Sequence, residues 1–170
     1  MATTYTLINS NVLSSSAASV TFSSIPATYT DLVLKVSVRN DISGDATWFD
    51  VVLNADTASN YSSTILYGTG SAAGSFRVSI TRPDYTVAGA TATSNTFSNG
   101  ELYFPSYTAS QNKPISAHST GENNSTTSYM AATAMLWRNT AAITSIQLKN
   151  NSTYLFQSGS SFYLYGISNA

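Results

Sequence analysis

The sequence predicts an all-β fold, an antiparallel β-sandwich, on three observations. Short runs of β-branched and aromatic residues recur from one end of the 170 residues to the other. Ser/Thr/Asn/Gly turns separate these runs roughly every 8–12 residues, the spacing of sandwich strands. No stretch carries a convincing helical period. At this length a single domain, residues 1–170, accommodates the whole chain.

Thr3 to Ile8 and Ala18 to Phe22 read as short strands, and Pro26 with residues 27–30 as a turn. Asp31 to Arg39 is the clearest strand. Leu32, Leu34, Val36 and Val38 make one aliphatic face, and Lys35, Ser37 and Arg39 make the other mostly polar, so one face packs and the other meets water. Trp48 to Asn54 alternates Phe49, Val51 and Leu53 with Trp48, Asp50 and Val52. Tyr61 to Tyr67 follows a turn, and residues 68–74 form a Gly-rich loop. Phe76 to Thr81 is expected to turn Phe76, Val78 and Ile80 inward. A long polar loop then runs through Arg82, Pro83 and Asp84 to a strand around Thr96. Glu101 to Tyr107 carries Leu102 and Phe104, with Pro105 suited to a strand end. Pro114 to Thr120, Thr127 to Trp137, Ile143 to Lys149 and Ser161 to Ile167 complete the set. The Tyr129 to Trp137 run contains Ala and Met, which favour helices. Its neighbours are all strands, so it reads as a central strand covered on both faces.

The chemistry-bearing residues are few. Only 9% of residues are charged, the net charge is −1, and there is one His and no Cys. Ser and Thr make up nearly a third of the chain. Without a basic stripe, nucleic-acid binding has no electrostatic source. Zero Cys excludes a disulfide framework and a thiolate metal site. No stretch approaches the roughly 20 apolar residues of a membrane-spanning helix, and residues 1–9 do not read as a signal peptide. Synthesis in a cytoplasm is therefore expected, with no membrane partner and no cofactor.

His118 lies mid-strand, with neither a second His nor a nucleophile-elbow sequence to work with. A retaining glycosidase needs two carboxyl groups about 5 Å apart. Asp50 or Glu101 could supply one, but nothing in the sequence pairs them. Asp41 to Asp45 superficially resembles a calcium loop but lacks the alternating ligands and closing Glu of an EF-hand, so it reads as a turn. No catalytic residue and no metal ligand is expected, and the chain reads as a non-enzyme. Eleven Tyr and two Trp remain. Most fit strand faces. Tyr163 and Tyr165 alternate with Phe162 and Leu164, so they should point away from the core, which makes them the candidate subunit interface. Sequons at Asn60, Asn124 and Asn151 would matter only in a secretory pathway.

Several segments together resemble small β proteins encoded by tailed bacteriophages. They are Thr21 to Arg39, Val52 to Tyr61 with Leu66 to Gly68, Thr96 to Phe104, Glu122 to Tyr129, Leu136 to Leu148 and Leu164 to Ile167. The resemblance spans nearly the whole chain. It implies a jelly roll and a virion component, most specifically a capsid cement (decoration) protein at three-fold positions of the head shell. The partners implied are the chain itself as a homotrimer and the major capsid protein, with the capsid surface of the virion as its location. The alternative is a tail-fibre or baseplate receptor-binding module that holds host glycans through exposed Tyr and Trp.

Overall fold

Alternating apolar residues become strands throughout the computed structural model, which describes residues 4–78, 84–124, 128–150 and 153–168. The strands are β1 (Tyr5–Val12), β2 (Ser19–Phe22), β3 (Asp31–Val38), β4 (Ala46–Leu53), β5 (Tyr61–Gly68), β6 (Ala73–Val78), β7 (Asp84–Ala88), β8 (Ser98–Phe104), β9 (Lys113–Gly121), β10 (Tyr129–Trp137), β11 (Ile146–Lys149) and β12 (Ser161–Ile167). No helix occurs among the described residues. All strand pairs are antiparallel, and they build two sheets. The large sheet runs β1-β12-β3-β8-β9-β10-β5-β6, and the small sheet runs β2-β11-β4-β7. Two hairpins, β5–β6 and β9–β10, belong to the large sheet, and Tyr61 of β5, Ile115 and Ala117 of β9 and Met135 and Trp137 of β10 still reach the shared core. The expected all-β antiparallel sandwich is what forms.

The core lies between the sheets. On β3, Leu32, Leu34, Val36 and Val38 are all buried, as their alternation required. They share one apolar cluster with Phe22, Val51, Leu53, Ile146 and Leu148 of the small sheet. Phe156 sets its ring edge-on to Phe49 at 5.4 Å and to Phe162 at 5.3 Å, the T-shaped arrangement aromatic quadrupoles favour.

Long side chains fasten the loops. The Arg39 guanidinium donates to the carbonyls of Ala90, Ala92, Thr93 and Thr96 at 2.8–3.1 Å. The Lys113 ammonium donates to the carbonyls of Ala109, Gln111 and Thr140, and burial pulls its pKa down.

Five expectations are corrected or refined. No strand surrounds Thr96: residues 91–97 are a turn region held by Arg39, and β8 starts at Ser98. The strand expected over Glu101 to Tyr107 ends at Phe104, and Tyr107 sits in the following turn with its hydroxyl donated to the Pro26 carbonyl. Phe76 and Val78 do face the inner side of the large sheet, opposite Ile65 and Ser63, but β6 ends at Val78 and Phe76 is not buried in the core: it stays 47% exposed at the wall of an open cleft. Ile80, Thr81, Arg82 and Pro83 lie outside the described residues, and where a polar loop was expected Asp84 already opens β7. Finally, β10 is central but covered on one face only. Met130, Ala132 and Ala134 are exposed while Ala131, Thr133 and Met135 are buried.

Candidate functional site

Two surfaces stand out, on opposite faces of the large sheet. The first is its outer face. Strand register places Leu7, Tyr165, Val33, Tyr103, Ser116, Ala134 and Thr64 side by side in one row across β1, β12, β3, β8, β9, β10 and β5. Cross-strand partners share a face, so this row is continuous and uncharged until Arg77 on β6. The neighbouring row carries Tyr163, Lys35, Glu101, His118, Ala132 and Leu66. Lys35 and Glu101 pair at 3.4 Å. Leu66 and Met130 project from the β5–β10 end with 61% and 68% of their surface open. The small side chains of Ala132, Ala134 and Ser116 leave a shallow apolar trough beside Leu66.

Tyr163 and Tyr165 do point away from the core: Phe162 and Leu164, which alternate with them, are fully buried. Both are half-buried on the outer face. Tyr165 meets Tyr5 edge-on at 6.3 Å, and Val33 beside it is buried. The Tyr103 hydroxyl donates to Asp31 at 2.9 Å, and that bond is the main cause of its raised pKa.

The second surface is a cleft of about 160 Å³ where the β5–β6 end of the large sheet meets β4 and β7. Trp48, Tyr67, Phe76 and Tyr129 wall it, and Thr47 and Thr86 add hydroxyl-bearing residues. Tyr67 stacks on Tyr129 at 5.6 Å with 27° between planes and leans on Phe76 at 6.0 Å. A Cβ on Gly74, across from Tyr67 in register, would lie 2.7 Å from the Tyr67 hydroxyl. The missing side chain is what gives that ring its place. Trp48 and Phe76 are each 47% exposed. No charged side chain is among the lining residues.

The remaining sequence candidates are scattered. His118 stands exposed on the outer face between Glu101 and Ala132. Asp50 and Glu101 lie in different sheets, Asp50 buried on β4 and Glu101 on the outer face of β8. Asp41 accepts from the Leu155 amide at 2.7 Å and Asp45 from the Thr91 hydroxyl at 2.8 Å, so both carboxylates pin loops. No group of three metal-ligating side chains occurs among the described residues. Asn151 lies outside them. The aromatic cleft escaped the sequence because its four rings come from β4, β5, β6 and β10. Only the pairing of β10 with β5 and of β5 with β6 brings three of them together.

The chain matches no family model and no curated protein.

Proposed function

We propose that this chain is a structural protein of a tailed-phage particle, a cement protein that sits as a trimer on the head shell against the major capsid protein. The observation that carries the reading is the uncharged row on the outer face, from Leu7 through Tyr165, Val33, Tyr103, Ser116 and Ala134 to Thr64. Six strand spacings of ~4.8 Å make it about 29 Å long. The row itself brings no charge to be desolvated on contact, and Lys35 and Glu101 in the next row are already paired with each other at 3.4 Å. Its small side chains let a partner's backbone come close. Large exposed apolar side chains beside it, Leu66 and Met130, mark a contact surface rather than a solvated one.

Connectivity supports the jelly-roll reading of the sandwich. Strands β1-β12-β3-β8 form one half and β2-β11-β4-β7 the other, and the chain crosses between sheets at each step from β1 to β4. Virus capsids use jelly rolls often. Tyr163 and Tyr165 share the outer face and belong to the proposed subunit contact. The test is heat. Particles lacking this protein should assemble, release DNA at a lower temperature than intact ones, and regain resistance when the purified protein is added back. Stripped particles as heat-stable as intact ones overturn the cement reading.

A further inference from the structure

We infer that the cleft between β4 and the β5–β6 hairpin binds a single neutral sugar ring, one pyranose of a glycan. The walls are aromatic: Trp48, Tyr67, Phe76 and Tyr129. The C–H faces of a pyranose are apolar and pack on aromatic rings, while its hydroxyls need neutral donors and acceptors around the rim. Thr86 and the two tyrosines carry groups of that kind, whereas the buried Thr47 hydroxyl is already donated to Asn40 at 2.7 Å.

Three features choose this guest over others that aromatic walls attract. An ammonium cage gains from a carboxylate nearby, and no charged side chain lines the cleft. A helix or extended peptide needs a long groove, whereas about 160 Å³ holds one six-membered ring. The platform is also set in advance. Tyr67 is held by Tyr129 on one side and Phe76 on the other, over the bare backbone of Gly74. A ring already fixed in place loses little freedom when the guest arrives. Trp48 and Phe76 meanwhile keep nearly half their surface in water, and a stacked sugar would cover it.

The site does not depend on the cement reading. Ile65, Tyr67 and Phe76 face the cleft, and Thr64 and Leu66 face the other way, so a subunit docked by its outer face keeps the cleft open.

Saturation-transfer NMR tests it on the full chain, with methyl glycosides of glucose, galactose, mannose, rhamnose, N-acetylglucosamine and N-acetylgalactosamine. At least one should bind saturably with Kd on the order of 1 mM, as suits one ring. Trp48→Ala and Tyr67→Ala should each weaken it about tenfold or more. Trp48→Ala should also keep the far-UV circular dichroism of the wild type, since that side chain is half exposed and outside the core cluster. Three results overturn the inference: no saturable binding by any glycoside, binding unchanged in Trp48→Ala, or tetramethylammonium or a proline-rich peptide binding tighter than every sugar.

Discussion

Asn54 combines a left-handed backbone, φ 50°, with side-chain bonds that hold the chain ahead of β11. Its Nδ2 donates to the Ala142 carbonyl at 2.7 Å, and its Oδ1 accepts from the Thr144 and Ser145 amides at 2.8 and 3.1 Å. Asn tolerates that backbone better than most residues. Asn54→Gly keeps the conformation and loses the bonds, which should cost about 2 kcal/mol. Asn54→Ala loses both and should cost about 1 kcal/mol more. Urea unfolding separates the two, and equal losses would mean the backbone conformation carries no weight. Two residues on, Asp56 accepts from the buried Trp137 indole at 2.7 Å and from Asn60 at 2.9 Å. These bonds, Asn60 first, hold its pKa below 3.8. A depressed folded pKa means the stabilisation is complete above pH 3.8 and disappears as pH falls through the folded value. The melting temperature should fall on acidification, and Asp56→Asn should fall less steeply. Tyr61 has the opposite sign. Burial raises its pKa from 10.0 to about 12, so its contribution is complete below pH 10 and is lost as pH climbs toward 12.

At the scale of elements, segments singled out in the sequence touch one another in two pairs, Val52 to Tyr61 with Leu136 to Leu148 and Thr21 to Arg39 with Leu164 to Ile167. Leu53 and Asn54 end β4 and meet residues 142–145. Trp137 at the end of β10 reaches Asp56, and Arg138 reaches the Ser59 carbonyl. Tyr29, leading into β3, lies flat over Gly166 of β12. A Cβ there would sit 2.3 Å from the Tyr29 ring. Gly166→Ala must push that ring aside and should cost about 1–3 kcal/mol in thermal unfolding. A cost near zero would show that Tyr29 moves freely. These motifs are therefore joints between strands, which is why the sequence offered a pattern without any chemistry. Strand β3 was legible because one face is wholly aliphatic; Leu34→Ala should cost about 2–5 kcal/mol there by leaving a cavity. Strand β10 was legible as a strand but not in its covering. Ala and Met fit a buried or an open face equally well, and only the packing of the second sheet on one side of the large one decides which face is covered. Strand β7 was missed because pairing with β4, more than its own pattern, makes it a strand.

At the scale of the molecule, a four-stranded sheet packed on one side of an eight-stranded one leaves both candidate surfaces open. Sequence alternation foretold that Tyr163 and Tyr165 would face outward. It could not show that they share a row or a face with Leu66 and Met130, since that follows from the register of the five strand pairs from β12 to β5. The assembly proposal is tested on that face. Leu66→Asp with Met130→Asp places two carboxylates on side chains that are 61% and 68% exposed. Stability should change little, about 0.5 kcal/mol or less for each site. Contact should suffer far more, because a carboxylate trapped against an apolar partner is desolvated without compensation. A stable contact needs about 800 Å² per partner, and these are the most open large apolar side chains on the β5–β10 part of the face. Co-sedimentation with stripped particles should therefore fail for the double variant while its melting temperature stays at the wild-type value. Tyr163→Ala with Tyr165→Ala should instead lower the fraction of trimer measured on the shell by cross-linking. If the Leu66/Met130 variant still decorates particles at the wild-type level, the outer face of the large sheet is not the docking surface.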